Sequence, residues 1–171
     1  MKILWIKILL LALIMNINDS EGQCVFHKLY GMGNNYYDGG FSVVQTYDGG
    51  YISVGVSFEN YDGTYIVRTD ECGDTLWTRL YDFCYFAGDE GTSVIQLQDS
   101  TFSICGWAVD VSDSIADTYI LKLNDSGDTV WFRNLDQPLR DKGQIHKQTI
   151  DGGFIIGGYN YDSTNTYTQV F

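Results

Sequence analysis

Carboxylates are the side chains here with the most chemistry to offer, because Asp and Glu serve as general acids and bases and as calcium ligands. The chain holds 22 of them against 10 Lys and Arg. Most recur periodically: Asp48, Asp99 and Asp151 share one repeated slot, and Asp70, Asp74, Asp125 and Asp128 fall in another. A carboxylate present in copy after copy is explained by turn chemistry, since Asp hydrogen-bonds its own backbone two residues on. Calcium in the turns Asp70 to Asp74 and Asn124 to Asp128 meets a shortage of ligands, because the ion takes about six to eight oxygens and each turn offers about three. An active site on a repeated scaffold should instead break the repeat once, with one non-periodic pair of acids. Asp89-Glu90, Asp110, Asp113, Glu59 and Asp141 lie outside the repeated slots. All of these fall in loop-like stretches where solvated charge is the ordinary explanation, so no catalytic residue is assigned.

His27 and His146 have no Cys or His at zinc-ligand spacing, which leaves no metal site. His27 reads as a strand residue and His146 as the occupant of an apolar slot, so packing accounts for both. There is no G-x-S-x-G, no P-loop and no paired C-x-x-C. Cys24, Cys72, Cys84 and Cys105 are even in number, which in an exported chain invites disulfides. None of them occupies a slot that is Cys in another copy. Cys72 and Cys84 flank the Trp77 strand, and an extended chain of that length reaches about 40 Å, against the ~6 Å a bridge requires. Cys105 reads as a small buried hydrophobe, and the pairing of the four stays open. Tyr36-Tyr37, Tyr61, Tyr85-Phe86, Tyr159 and Tyr161 sit near Asp, Asn and Gly, where rings suit a sugar or protein ligand. Tyr at strand ends is equally ordinary.

The elements that position these residues are written three times. Phe26-His27-Lys28-Leu29-Tyr30, Trp77-Thr78-Arg79-Leu80-Tyr81 and Trp131-Phe132-Arg133-Asn134-Leu135 align at spacings of 51 and 54. Val43 to Tyr51, Val94 to Phe102 and His146 to Phe154 follow at spacings of 51 and 52, and Thr64 to Trp77 matches Thr118 to Trp131. A period of this size signals propeller blades. Each unit holds four short strand candidates separated by turn signals, with Asp48-Gly49, Asp99-Ser100 and Asp151-Gly152 at hairpin tips that need positive φ. Ser100 fills its slot less well than glycine. Gly55, Gly106 and Gly158 recur inside a strand, where a backbone or large ring approaches too closely for a side chain. The repeated Trp is the expected ring, packed between adjacent sheets as a staple and burying on the order of 200 Å².

The D-G-G-[YF] hairpin followed by [YI]-x-[RK]-x-[DN]-x-x-G-D-T-x-W resembles, over residues 25–171, the tandem repeats of secreted bacterial proteins common in Bacteroidota. Their fold is similar to quinoprotein-alcohol-dehydrogenase-like β-propellers. The resemblance implies export, radially arranged four-stranded sheets and often a C-terminal sorting domain for type IX secretion, and no part of residues 25–171 reads as that domain. It does not imply a quinone, because those enzymes use specific metal ligands and often adjacent cysteines, a pair missing from this sequence; no cofactor is expected. The third copy departs from the pattern, with His146-Lys147 in place of Val43-Val44, and breaks off at Thr166-Tyr167 before the chain ends at Phe171.

Composition agrees with an all-β reading: Tyr 13, Phe 9, Gly 19 and a single Pro describe strands and turns, and 44% hydrophobic against 19% charged residues exclude disorder. A net charge of -12 excludes nucleic acid and anionic lipid as partners. Lys2 and Lys7 precede the apolar run Ile8 to Met15, too short to span a bilayer but fitted to a secretory signal, with Ser20 and Gly22 placed for cleavage before Gln23. Gln23 before Cys24 is not the small residue that lipoprotein processing needs. Removing Lys2, Lys7, Asp19 and Glu21 leaves the charge at -12.

The expected organisation is a signal peptide over residues 1–22 and a repeat domain over 23–171, with units at about 25–76, 77–130 and 131–171. The expected fold is a partial β-propeller of about three four-stranded blades, an open arc or a fragment of a longer protein. Its expected role is that of a secreted, periplasmic or cell-surface non-catalytic scaffold binding protein or glycan. An accessory region of a secreted glycoside hydrolase is the alternative. Open blade edges would also promote self-association.

Overall fold

At Asp48-Gly49, Asp99-Ser100 and Asp151-Gly152 the chain reverses through residues of positive φ: +90° at Gly49, +64° at Ser100 and +87° at Gly152. In each tip the Asp side chain accepts the N–H two residues on, from Gly50 at 3.3 Å, Thr101 at 3.1 Å and Gly153 at 3.2 Å. The second repeated turn uses the same chemistry. Asp70 Oδ1 accepts from the N–H groups of Cys72 (2.9 Å) and Asp74 (2.7 Å), Asn124 Oδ1 accepts from Asp128 N–H (2.8 Å), and Gly73 and Gly127 have φ of +77° and +82°.

Between these turns the computed structural model, which describes residues 24–31, 37–58, 63–83, 88–109, 115–135, 140–161 and 166–170, is built of strands. They are β1 (Asp38–Gln45), β2 (Tyr51–Ser57), β3 (Gly63–Thr69), β4 (Thr75–Tyr81), β5 (Asp89–Gln96), β6 (Phe102–Val109), β7 (Ala116–Leu123), β8 (Thr129–Asn134), β9 (Arg140–Gln148), β10 (Phe154–Tyr161) and β11 (Thr166–Val170). No helix occurs among the described residues, and none is long and apolar enough to cross a membrane. Residues 1–22, expected as a signal segment, and Tyr36, Glu59, Tyr61, Cys84, Tyr85, Phe86, Asp110 and Asp113 lie outside the described residues.

The strands form three antiparallel sheets in simple meander order, β1-β2-β3-β4, β5-β6-β7-β8 and β9-β10-β11, which do not close into a barrel. The Trp77 and Trp131 strands that head units two and three in the sequence are β4 and β8, the last strands of the preceding sheets. Phe26 to Tyr30, expected as the first strand, pairs in no sheet.

Each sheet opens with a bulged strand. The register shifts between Gly40 and Ser42, between Gly91 and Ser93, and opposite Gly157 and Gly158. The bulge pushes a carbonyl toward the neighbouring strand, and this explains the repeated glycines. A Cβ at Gly55 would overlap the Gly39 carbonyl, one at Gly106 the Glu90 carbonyl, and one at Gly158 the Lys142 carbonyl. The ring expected there is therefore not Trp: backbone fills the space at all three positions, with the Tyr119 ring added at Gly106.

Successive sheets pack face to face through these opening strands, β5 against β1, β2 and β3, and β9 against β5, β6 and β7. The first interface is the main core, in which Ile52, Val54 and Ile66 meet Val94, Phe102, Ile104, Tyr119 and Leu121. The second is smaller, with Cys105, Ile120 and Ile156 at its centre and Trp131, Leu135 and Phe154 at its margin. Hydrogen bonds repeat across both. Val94 N–H donates to Ser42 Oγ (3.2 Å) and His146 N–H to Ser93 Oγ (3.4 Å), positions that correspond in the repeat.

Ser100 is the single non-glycine residue of positive φ among the described residues. Replacing it with glycine removes the Cβ clash of the left-handed region at the cost of a more flexible unfolded chain. Ser100→Gly should stabilise the fold by about 0.5 to 1 kcal/mol, read as a raised urea midpoint with an unchanged slope.

Candidate functional site

One contact recurs along the outer edge of the sheets. The aromatic heads of the first two [FW]-x-[KR] segments, Phe26 and Trp77, each lie on the glycine of a [DN]-x-x-Gly turn, Gly73 and Gly127. Trp77 covers Gly127 so closely that an added Cβ would stand 3.3 Å from the indole, and its Nε1–H donates to Asp125 O at 2.9 Å. Arg79 donates to Ser126 O (3.2 Å) and Tyr81 OH to Gly127 O. The N-terminal segment makes the same grip on the first sheet: Phe26 covers Gly73, Tyr30 OH donates to Gly73 O (2.8 Å), and Lys28 pairs with Asp74 (2.5 Å). In all three copies the cation rides over its own ring, Lys28 at 5.9 Å, Arg79 at 5.7 Å and Arg133 at 5.7 Å from the centroid. The staple expected of Trp is thus present at Trp77, joined to a turn of the next sheet.

At the third copy of this grip no glycine turn lies on the ring among the described residues. Trp131 packs edge-on against Phe154 (6.2 Å between centroids), and beside it lies a cleft of about 580 Å³ lined by Ile120, Arg133, Leu135, Gly152, Gly153 and Ile156. No hydrogen bond to the Trp131 indole N–H or the Arg133 guanidinium exists among the described residues, whereas their counterparts Trp77 and Arg79 hold turn carbonyls. Apolar floor, indole donor and guanidinium together suit a tight peptide turn presenting its carbonyls.

Two of the repeated hairpin-tip carboxylates hold ion pairs. Asp48 receives the buried Arg68 guanidinium at 2.5 Å, and Asp99 receives Lys122 at 2.8 Å. The Thr46 hydroxyl, followed by Gly50 N–H and Arg68, holds Asp48 below the usual carboxylate range, and Lys122 with Thr101 brings Asp99 down to about 2. Asp89 and Asp141, read from sequence as solvated loop residues outside the repeat, are instead fully buried in β5 and β9. They are periodic. Asp38, Asp89 and Asp141 each precede the bulge glycine by two residues, at spacings of 51 and 52 that were visible in the sequence as Asp-x-Gly. Asp89 accepts the Phe83 N–H, and Asp141 accepts the Thr118 N–H at 2.6 Å, tying the third sheet to the second. No group of three or more potential metal ligands forms among the described residues.

His27 is exposed and lies in no strand, contrary to expectation. His146 is buried in its slot, but its ring bonds two hydroxyls, Ser93 Oγ and Ser103 Oγ, each at 3.0 Å. Burial pushes its pKa down to about 4. Cys105 is buried and free, its thiol pushed up to about 12 by burial. Cys24 and Cys72 form a disulfide, with Cα atoms 5.0 Å apart, that fastens the N-terminal segment to the Asp70 turn. Of the Tyr candidates, Tyr37 packs beside Phe58 next to the first sheet, and Tyr159 lies in β10 of the third. Comparison with protein-family models and with curated proteins finds no match.

Trp77→Ala should cost about 3 kcal/mol, Trp131→Ala roughly half of that because a cleft lies beside it, and the exposed Asp74→Ala about 1 or less, all read from denaturant melts. Equal losses at the three sites would contradict the turn grip. A second test concerns His146. Its folded-state pKa is depressed, so the unfolded chain takes up protons first as pH falls from about 6.5 to 4. Stability is complete above that window and should fall by up to about 3 kcal/mol through it. His146→Gln, which keeps hydroxyl partners without titrating, should flatten the pH dependence there.

Proposed function

We propose that this chain is an exported, non-catalytic repeat scaffold of the β-propeller type that binds a protein ligand through the cleft beside Trp131. The observation that carries the reading is that the cleft corresponds, copy for copy, to two grips already occupied by glycine turns, at Gly73 and Gly127. A meander of consecutive sheets, each opening strand seated on the face of the preceding sheet, supports the propeller type. The Cys24–Cys72 disulfide supports an oxidising, extracytoplasmic destination. A non-catalytic role fits the engagement of the periodic carboxylates in turns, ion pairs and buried backbone hydrogen bonds.

A cyclic peptide carrying Asn-Asp-Ser-Gly-Asp-Thr, the sequence of residues 124–129, is the direct probe. Calorimetric titration into the exported chain should give saturable binding that Trp131→Ala and Arg133→Ala each weaken by about tenfold or more. Tyr37→Ala should leave it unchanged. Binding indifferent to Trp131, or binding of a soluble β-glucan in place of the peptide, would overturn the protein-ligand reading.

A further inference from the structure

The glycine turn Asp70 to Asp74 is gripped less completely than its counterpart. At the second turn, Asn124 to Asp128, the Trp77 indole donates to Asp125 O, Arg79 to Ser126 O and Tyr81 OH to Gly127 O. Glu71, Cys72 and Gly73 hold the same three positions in the first turn, and Phe26, Lys28 and Tyr30 those of Trp77, Arg79 and Tyr81. Of the three bonds, the one from Tyr30 OH to Gly73 O recurs, at 2.8 Å. Phenylalanine has no N–H to donate, and Lys28 turns instead to the Asp74 carboxylate at 2.5 Å. Among the described residues no side chain donates to Glu71 O or Cys72 O.

The two heads are also held differently. Trp77 belongs to β4, which a ladder running from Thr64–Tyr81 to Arg68–Trp77 ties to β3. Residues 24–31 pair with no strand. A covalent bond stands in for the ladder: Cys24–Cys72 joins the segment to the very turn it covers, where the second grip has Thr75 and Ser126. The other contacts are slight. They are the Phe26 ring on Gly73 and 5.8 Å from Tyr51, the Tyr30 hydroxyl, and a Lys28–Asp74 pair whose side chains are 35% and 76% exposed. An ion pair so exposed to water holds a chain weakly. Cys24 is itself exposed, so thiols can reach the bond.

We propose that the Asp70 to Asp74 turn is a docking site for an extended peptide of another protein with the pattern Trp-x-Arg-x-Tyr, kept shut by the Phe26 to Tyr30 segment and opened by reduction of Cys24–Cys72. A dithiol supplies the two electrons. One of its thiolates attacks a sulfur of the bridge, its second sulfur then closes on the first, and Cys24 and Cys72 leave as thiols carrying the two protons of the dithiol. The arriving indole donates to Glu71 O, the guanidinium to Cys72 O and the phenol to Gly73 O, as their counterparts do at the second turn. Asp70, Glu71 and Asp74 give the turn a charge that complements the cation of the peptide. The site is distinct from the cleft beside Trp131, where this chain supplies the aromatic head and its ligand the turn.

The probe is a fluorescent peptide with the sequence of residues 74–81, Asp-Thr-Leu-Trp-Thr-Arg-Leu-Tyr, followed by anisotropy as the exported chain is added. Pretreatment of the chain with dithiothreitol should tighten binding at least about tenfold, and Cys72→Ser should do the same without reductant. Trp77→Ala or Arg79→Ala within the peptide should each undo that gain. A lysine-specific protease should cut after Lys28 at least about tenfold faster once the bridge is broken. Equal binding by the oxidised and reduced chains would overturn the docking site, as would a Cys72→Ser chain of unchanged circular dichroism that binds no tighter. A cutting rate indifferent to reduction would overturn the latch. If Cys72→Ser is not exported, the reduced natural chain decides alone.

Discussion

A flat ring laid on a glycine turn, Trp77 on Gly127, joins the first sheet to the second, and the rest of the structure is arranged around that joint. A four-stranded meander with apolar side chains on both faces, as in Ile52 and Ile66 on one side and Tyr65 and Val67 on the other, has no stable life of its own in water. It needs a neighbour at a defined distance and angle. The opening strand supplies the contact at one edge, and between the first and second sheets the aromatic grip of Trp77 on Gly127 supplies it at the other. Positive φ at the glycine turns its carbonyls outward, and the missing Cβ lets the ring lie flat over it. Hydrogen bonds from Trp77, Arg79 and Tyr81 then fix the angle as well as the distance.

Polar groups inside the stack add direction to this packing. Ser42 and Ser93 receive backbone N–H groups from the next sheet, and Asp141 reaches across from the third sheet to Thr118 of the second. A buried carboxylate is tolerated because it accepts a backbone N–H, and a buried imidazole because two hydroxyls satisfy it without a charge. The two joints consequently differ. The first is filled by branched aliphatic chains, while the second runs through Ser93, Ser103 and His146, which makes it the joint exposed to acid.

Periodicity made most of the fold legible. Near-equal spacing of the hairpin tips, the [DN]-x-x-Gly turns and the aromatic heads made the hairpins, the three-fold division and the four strands of the first two sheets legible, because turn residues answer to local φ and local hydrogen bonds alone; the third sheet has three strands among the described residues. The same reasoning read Asp48 and Asp99 correctly as turn residues, but it could not show that Arg68 and Lys122 reach them across the sheet.

What tertiary structure decided was which copy faces which. The Trp strand that heads a unit in the sequence closes the preceding sheet, since strand pairing follows the meander and ignores where a repeat is cut. Gly55, Gly106 and Gly158 were recognisable as sites of close approach, yet only the bulge shows that a carbonyl, not an indole, comes near. Cys24 and Cys72 belong to different slots, so no comparison between copies could pair them; they meet because the N-terminal segment lies on the turn that carries Cys72. The cleft beside Trp131 has no signature of its own in the sequence either. Its residues Trp131 and Arg133 repeat Trp77 and Arg79, and only the structure shows a cleft beside the one pair and a turn against the other among the described residues.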